Sequence, residues 1–260
     1  MSNDVIVERK GEVQVIRINR PEKKNSLTRE MYDTMTKALA AGEADDKVAV
    51  TLLIGSGGIF CAGNDISDFA KRSADITAAG GAGSFIGTLP VLDKPLLAAV
   101  DGLAIGVGVT MLFHCDLVFA STTASFRTPF LDLGLVMEAG SSFLAPAIMG
   151  HQRAFELLCY GEAFDAEAAR QAGFVNRVVP AAELEAQAMA AAERLAGKPR
   201  AATIAAKRLM KQGIREHAAL QMKSEGGLFQ ALLRSPEARE AFQAFLEKRK
   251  PDFAKARTKG

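Results

Sequence analysis

The 260-residue sequence contains no tryptophan, three cysteines and three histidines. Cys61, Cys115 and Cys159 lie far apart and form no C-x-x-C motif, which argues against a disulfide framework and predicts reduced core thiols in a cytoplasmic protein. The histidines have no metal-ligand spacing, and both H-E-x-x-H and the G-x-S-x-G elbow of a nucleophilic serine are missing. A metal centre and a nucleophilic mechanism therefore lack support.

The net charge is small, and long apolar runs are scarce as well. The formal charge is +2, whereas a nucleic-acid surface needs clustered Lys and Arg. The first ten residues carry acid and lack an apolar signal core, and the C-terminal A-R-T-K-G is no retention or peroxisomal address. The uncharged run at residues 102–115 is shorter than the roughly 20 apolar residues that span a membrane. We expect a cytoplasmic protein with neither nucleic acid nor membrane as a partner.

The sequence does contain short apolar strands that alternate with helices. The predicted strands cover residues 5–9, 13–19, 48–54, 96–100, 116–120, 124–128 and 174–179. Thr28 and Asp165 each cap a predicted helix, Ser141 begins another that ends near Gly150, and the chain after Pro180 is helical almost to its end. This order predicts an α/β fold with parallel strand pairing.

The last third of the chain has apolar residues at helical spacing, for example Ala238, Phe242 and Phe245. Such faces need a partner, and another subunit could supply one. We therefore divide the chain into a core, residues 1–195, and a C-terminal helical region, residues 196–260, that mediates oligomerisation.

Two glycine-rich loops each follow an apolar strand directly. The first, residues 55–64, has the glycine separation of a phosphate loop but continues with Asn-Asp instead of Lys-Ser or Lys-Thr, which excludes a nucleotide P-loop. The second has three glycines between residues 102 and 108, without the spacing of the dinucleotide fingerprint. Either loop alone could be a tight strand–helix connection. Together they could point free backbone N–H groups at a phosphate, a carboxylate or a developing oxyanion.

Glu138 is the only carboxylate in the mostly apolar residues 133–146. It could place negative charge at the N-terminus of the helix that Ser141 begins, where the helix dipole favours it, or it could act chemically. His114 lies in an apolar run and is predicted to be a satisfied core residue. Residues 67–92 are rich in small side chains and are predicted to form a mobile lid that shapes a substrate pocket.

Several of these motifs occur together in a known family. F-C-A-G-N-D-I at residues 60–66 and K-P-L-L-A-A-V-D-G-L-A-I-G-V-G-V at residues 94–109 resemble the crotonase superfamily of enoyl-CoA hydratases and isomerases. C-D-L-V-F-A at residues 115–120 and A-x-x-A-x-x-x-G-F-V-N-R-V-V-P at residues 166–180 are similar as well. The likeness extends over nearly the whole chain.

The resemblance implies an enzyme that acts on acyl-CoA thioesters of fatty-acid β-oxidation. The implied fold is an α/β crotonase (ClpP-like) spiral of β-β-α units whose C-terminal helices build a homotrimer or a dimer of trimers. The two glycine loops would form an oxyanion hole, and its donors, carried over by position, are the backbone N–H groups of Asn64 and Val107. No cofactor is implied, because coenzyme A is part of the substrate.

The departures from the family pattern bear on the reaction. Hydratases of the family use two glutamates to activate water, and Thr110 and Phe130 stand at those two positions. Glu138 instead matches the single glutamate of the peroxisomal-type Δ3,Δ2-enoyl-CoA isomerase group. The resemblance therefore implies a double-bond isomerase in which Glu138 is the acid and base.

By the same resemblance, Ala62, Asp65 and Ile66 line the path of adenine and pantetheine, and Phe130 belongs to the acyl-binding surface. The phosphates of coenzyme A could meet lysines of the same chain or of a neighbour, or those lysines could simply be solvated surface charges. The lysines concerned are Lys23, Lys248 and Lys250.

Two alternatives to the isomerase stay open at this stage. The chain could be another enolate-forming crotonase, either hydratase-like or a ring-opening enzyme of aromatic acyl-CoA. It could also be a non-catalytic acyl-CoA-binding protein, although an acid retained beside two intact glycine loops disfavours this.

Overall fold

A six-stranded sheet forms the centre of the described chain. The structure, a computed structural model, describes residues 3–65 and 81–257. In spatial order the sheet contains β1 (Val5–Lys10), β2 (Val13–Ile18), β3 (Val50–Gly55), β4 (Leu96–Val100), β6 (Leu117–Ser121) and β9 (Arg177–Val179). β1 and β2 form an antiparallel hairpin, and the other neighbours pair in parallel. The predicted parallel pairing is confirmed.

A second, three-stranded sheet lies beside the first. It contains β5 (Leu103–Ile105), β7 (Ser125–Arg127) and β8 (Phe164–Asp165). β5 and β8 were not expected from the sequence. β5 is three residues long and lies between two glycines, so its strand pattern is too short to recognise, and its pairing with β7 defines it.

The helices mostly follow the expected boundaries. They are α1 (Arg29–Ala44), α2 (Ala82–Thr88), α3 (Val107–Thr110), α4 (Ser141–Met149), α5 (His151–Phe155), α6 (Ala166–Gln171), α7 (Ala181–Ala196), α8 (Arg200–Leu233), α9 (Pro236–Leu246) and α10 (Phe253–Arg257). Both predicted caps are present, since Thr28 accepts from the backbone N–H of Met31 and Asp165 accepts from that of Ala168. α3 is a single turn continued by a 3-10 turn, Met111–His114.

Side chains of the six-stranded sheet alternate between two apolar layers. Ile16, Leu53 and Ala98 face the layer that includes α1. Their chain neighbours Val15 and Leu52 face the other layer. The two-residue period of a strand produces this division, and the second layer is closed by Leu184, Ala188 and Ala192 of α7.

Two predicted patterns differ from the structure. The strand expected at residues 174–179 begins at Arg177. At Asn176 the backbone N–H still donates to the carbonyl of Val118 in β6, but the N–H of Val118 donates to the side-chain Oδ1 of Asn176 in place of a main-chain carbonyl. In α9 the buried residues are Ala238, Ala241 and Ala244, whereas Phe245 is exposed. The small alanines allow α9 to pack closely against the rest of the chain, and the ring of Phe245 is exposed to solvent in the single chain.

Part of the predicted lid lies outside the described residues, namely residues 67–80. The remainder, residues 81–92, contains α2 and a 3-10 turn at Leu89–Val91. α7 ends at Ala196 and α8 begins at Arg200, near the predicted division after residue 195, which stays a prediction. No helix in the described ranges is long and apolar enough to cross a membrane.

Candidate active site

The two glycine loops run side by side and are joined by main-chain hydrogen bonds. The N–H of Phe60 donates to the carbonyl of Asp101 at 2.7 Å, and the N–H of Cys61 donates to that of Leu103 at 3.0 Å. The N–H of Ile105 returns a bond to the carbonyl of Cys61 at 2.8 Å. The two loops therefore form one rigid unit at the ends of the parallel strands β3 and β4.

Glycine is required where the loops touch. A Cβ on Gly102, whose φ is +55°, would lie 2.2 Å from the carbonyl oxygen of Gly58. A Cβ on Gly108 would lie 2.7 Å from the carbonyl oxygen of Cys61. Any larger residue at either position would push the loops apart.

The proposed oxyanion donors occupy comparable places in the two loops. Val107 is the first residue of α3, and Asn64 forms an isolated bridge with Leu27. Neither backbone N–H donates to a main-chain acceptor within the described ranges. An N–H at the first turn of a helix has no acceptor within that helix and is free to bind a ligand oxygen. The hydroxyl of Tyr32 donates to Oδ1 of Asn64 at 2.6 Å and holds its side chain.

Glu138 lies across from the second glycine loop. The hydroxyl of Thr110, in α3, donates to its Oε1. The other oxygen, Oε2, is inaccessible to solvent and has no hydrogen-bond partner within residues 3–65 and 81–257. Burial raises the pKa of Glu138 to about 7, although the Thr110 hydroxyl opposes the rise and the negative charge of Glu225 adds to it. The carboxylate thus combines an unpaired oxygen with a pKa suited to proton transfer.

The main chain after Glu138 is held in an uncommon conformation. Ala139 has φ of +61°, which costs on the order of 1 kcal/mol for a residue with a Cβ. Its carbonyl accepts a hydrogen bond from Nε2 of His114 at 2.7 Å. Burial lowers the pKa of His114 to about 4, so the ring is neutral and donates from Nε2. His114 is therefore a satisfied core residue, as predicted.

The N-terminus of α4 has an acid near it, but this acid is not Glu138. Glu225, in α8, accepts from the backbone N–H groups of Gly140 and Ser142 at 2.6 and 2.9 Å. The carboxylate of Glu138 turns instead towards Thr110. The sequence did not reveal Glu225, because it lies in a different helix far along the chain.

Of the residues expected to contact coenzyme A, Ala62 lies in the first glycine loop and Asp65 directly follows it, while Lys23 is exposed in the turn before α1. Phe130 is buried, with 6% of its surface exposed, in the loop that leads to Glu138. Ile66 lies outside the described residues. Lysines 248 and 250 are exposed beyond α9, and their relation to a neighbouring subunit stays a prediction.

Two residues that support the first glycine loop were not identified from the sequence. Arg20 donates to Oδ2 of Asp65 at 2.7 Å, and both side chains are largely buried. Asn25, fully buried with φ of +55°, donates from its amide to the carbonyls of Ser56 and Ile59 at 2.9 and 2.6 Å. An Arg-Pro turn followed by Asn was the available signal, but its contacts lie 31 or more residues away.

No group of three or more His, Cys, Asp or Glu side chains in the described ranges could hold a metal ion. The described groups at this site include the Glu138 carboxylate and the main-chain amides of the two loops. Such amides stabilise an oxygen that gains negative charge in a transition state, and removing one of them typically lowers kcat by about 10²–10³-fold.

The sequence and structure were compared with known proteins. The profile of the enoyl-CoA hydratase/isomerase family matches residues 8–256. Enoyl-CoA delta isomerase 2 of Rattus norvegicus is 33% identical over 96% of this chain and 65% of its own length. A probable enoyl-CoA hydratase of Rhizobium meliloti is also 33% identical, over 96% of this chain and 97% of its own length.

A crystal structure of an enoyl-CoA hydratase/isomerase from Pseudoalteromonas atlantica superimposes with a TM-score of 0.92. It is 39% identical and covers 96% of this chain and 99% of its own. The α/β crotonase fold implied by the sequence resemblance is thereby confirmed. The chain belongs to the enoyl-CoA hydratase/isomerase family.

Proposed function

We propose that this enzyme is a Δ3,Δ2-enoyl-CoA isomerase, which shifts the double bond of a 3-enoyl-CoA to the trans-2 position. The observation that carries the proposal is the unpaired, buried Oε2 of Glu138 across from the two glycine loops. The relatives do not separate the two reactions, because an isomerase and a hydratase are equally identical to this chain.

The residues around Glu138 favour isomerisation over hydration. Hydration needs two carboxylates that position and split water, and the positions of both in hydratases hold Thr110 and Phe130. Thr110 is a hydrogen-bond donor to Glu138, and Phe130 is an apolar, buried side chain. Neither can act as a base, so a single carboxylate remains for the reaction.

In the proposed mechanism, Oε2 of Glu138 takes a proton from C2, next to the thioester carbonyl. The electron pair of that C–H bond moves into the conjugated system, and the negative charge develops on the thioester oxygen. The backbone N–H groups of Asn64 and Val107 donate to this oxygen. Protonated Glu138 then delivers the proton to C4, which completes the shift without water.

A pKa of about 7 suits a group that must first accept and then return a proton at neutral pH. The reaction moves one proton from C2 to C4 and neither oxidises nor reduces the substrate, so no cofactor is needed. Coenzyme A would lie along Ala62, Asp65 and Ile66, with Lys23 near its phosphates.

We also propose that the enzyme acts in the cytoplasm as a homotrimer or a dimer of trimers. The long helix α8 supports the oligomer, because Leu209 and Met210 expose 73% and 79% of their surfaces in the single chain. Apolar side chains this exposed on one helix are typical of an interface.

The decisive experiment compares turnover of trans-3-hexenoyl-CoA with hydration of crotonyl-CoA by the purified protein. We expect isomerisation of the first and little hydration of the second. Glu138→Gln should abolish isomerisation and the exchange of C2 protons with deuterated solvent, while binding of the CoA ester is retained. Faster hydration of crotonyl-CoA would favour a hydratase-like enzyme. Tight binding without exchange by the wild type would indicate a non-catalytic binding protein.

A further inference from the structure

The long helix α8 buries an unusual set of side chains. Its buried residues are Lys207, Ala218 and Glu225, whereas its large apolar residues are exposed or partly exposed. Glu225 exposes 4% of its surface. Burial of a carboxylate is costly unless hydrogen bonds satisfy it, so its contacts indicate what it does.

Glu225 is satisfied by the start of α4. Its Oε2 accepts from the N–H of Gly140 at 2.6 Å, and its Oε1 accepts from the N–H and the hydroxyl of Ser142 at 2.9 and 2.5 Å. Nε2 of Gln221, one turn earlier in α8, donates to the Ser142 hydroxyl at 2.9 Å. Burial raises the pKa of Glu225, while three donors and the positive end of the helix dipole oppose this rise and favour the ionised form.

These contacts begin two residues after Glu138. The intervening Ala139 has a left-handed backbone, with its carbonyl bound by His114 and the next N–H bound by Glu225. The segment is therefore held from two sides, by a neutral ring and by a carboxylate. Without both contacts a non-glycine residue would leave this conformation readily.

Resting on the isomerase reaction proposed above, we propose that Glu225 is a positioning residue for Glu138. Its carboxylate fastens the backbone that follows Glu138 and places a second negative charge beside the Glu138 carboxylate. Glu225 thereby couples the C-terminal helix α8 to the proton-transfer site.

The charge matters because Cys61 and His114, two titratable groups near Glu138, are neutral. Cys61 in the first glycine loop has its pKa raised to about 12 by burial, and His114 has a pKa of about 4. Lys207 and Lys211 of α8 both pair with Asp116. Burial is the main cause of the raised pKa of Glu138, and the negative charge of ionised Glu225 adds to it.

The test is a direct titration of Glu138, independent of turnover. Infrared difference spectra of protein labelled with ¹³C at glutamate carboxyls give the titration midpoint, assigned by the band that Glu138→Gln removes. We expect Glu225→Gln, which keeps a hydrogen-bond acceptor but loses the charge, to lower this midpoint by on the order of one pH unit. An unchanged midpoint would overturn the proposal.

Two matched variants serve as negative and positive controls for the Glu138 midpoint. Glu216→Gln makes the same change at an exposed position of α8 and should leave the midpoint in place. Thr110→Val removes a donor to the ionised carboxylate and should raise the midpoint, which verifies that the measurement responds.

Two further measurements distinguish a failure of the coupling between Glu225 and Glu138 from a failure of the proposed function. Because coupling between two sites is reciprocal, Glu138→Gln should lower the midpoint of Glu225, and this arm holds even if Glu225→Gln does not fold. If the protein isomerises 3-enoyl-CoA, the acid limb of its pH–rate profile should shift downward in Glu225→Gln by the same amount as the infrared midpoint. A shifted midpoint without isomerase activity would leave the coupling intact and overturn the proposed function. Isomerase activity with the same Glu138 midpoint in the wild type and in Glu225→Gln would support the proposed function and overturn the coupling.

Discussion

The two carboxylate oxygens of Glu138 have different surroundings, and the proposed mechanism gives them different tasks. Oε1 is bound by the Thr110 hydroxyl, which fixes the orientation of the group. Oε2 is buried and unpaired within the described ranges, as a proton acceptor aimed at a substrate should be. Such an arrangement costs folding free energy whenever the group is ionised.

That cost predicts a dependence of stability on pH. The folded protein raises the pKa of Glu138 from 4.5 to about 7, so the native state binds the proton more tightly than the unfolded chain. The contribution of Glu138 to stability is therefore lost as pH rises through this window. Glu138→Gln should unfold at higher urea concentration than the wild type at pH 8, with up to about 3 kcal/mol gained.

Below pH 4 the two proteins should converge, because both side chains are then neutral. Glu216→Gln at an exposed position of α8 serves as the control and should match the wild type at both pH values. Equal stability of Glu138→Gln and wild type at pH 8 would show that Glu138 is not held in a desolvated state.

At the scale of elements, the site depends on how closely two loops can approach each other. Backbone hydrogen bonds join the loops at Cys61, and glycines stand at the contacts. Because the proposed oxyanion donors are main-chain atoms, the mechanism tolerates different side chains at these positions but requires a fixed distance between the loops. Substitutions at the contact glycines should therefore act on catalysis and not on recognition of the substrate.

Gly108→Ala is the sharpest such substitution. The new Cβ would lie 2.7 Å from the carbonyl oxygen of Cys61, so the first turn of α3 must move and carry the N–H of Val107 with it. We expect kcat for isomerisation to fall by about 10²-fold with a smaller change in KM. Gly213→Ala in α8, with nothing within 4 Å of its Cβ, is the matched control and should keep full activity. A fully active Gly108→Ala that binds and folds normally would contradict the role of this loop.

At the scale of the whole molecule, α8 connects the active site to the exposed surface. Its inward face is anchored by polar contacts, including those of Lys207 with Asp116 and the carbonyl of Lys94. Its outward face carries Leu209, Met210, Leu220 and Leu228, which are all exposed in the single chain. Polar anchors inside and apolar side chains outside suggest that the outward face is covered by further copies of this chain.

Met210→Asp tests this arrangement. A charge at a side chain that is 79% exposed in the single chain should be harmless unless an interface buries it. We expect sedimentation velocity to show a trimer or hexamer for the wild type and smaller species for the variant. Val7→Asp, in the half-exposed edge strand β1, is the control and should keep the assembly. A wild-type monomer would refute the proposed oligomer.

Much of this protein is set by local chemistry that the sequence displays. The apolar runs of the parallel strands, the caps at Thr28 and Asp165 and the two glycine loops each depend on residues within a few positions of one another. For this reason the α/β fold and the parallel pairing were predictable, while the location of the site stays a prediction. Short segments such as β5 were not, because a three-residue pattern carries no periodicity.

Only the tertiary structure decided how Glu138 is held. Its partner Thr110 lies 28 residues earlier in the chain, and Glu225 binds Gly140 across 85 residues. The sequence alone allowed Glu138 to be the acid at the start of α4, yet Glu225 occupies that place. Local spacing specifies which face of a helix or strand is apolar, but it does not specify which distant polar groups meet once those faces are packed. The environment that raises the pKa of Glu138 is a product of that packing.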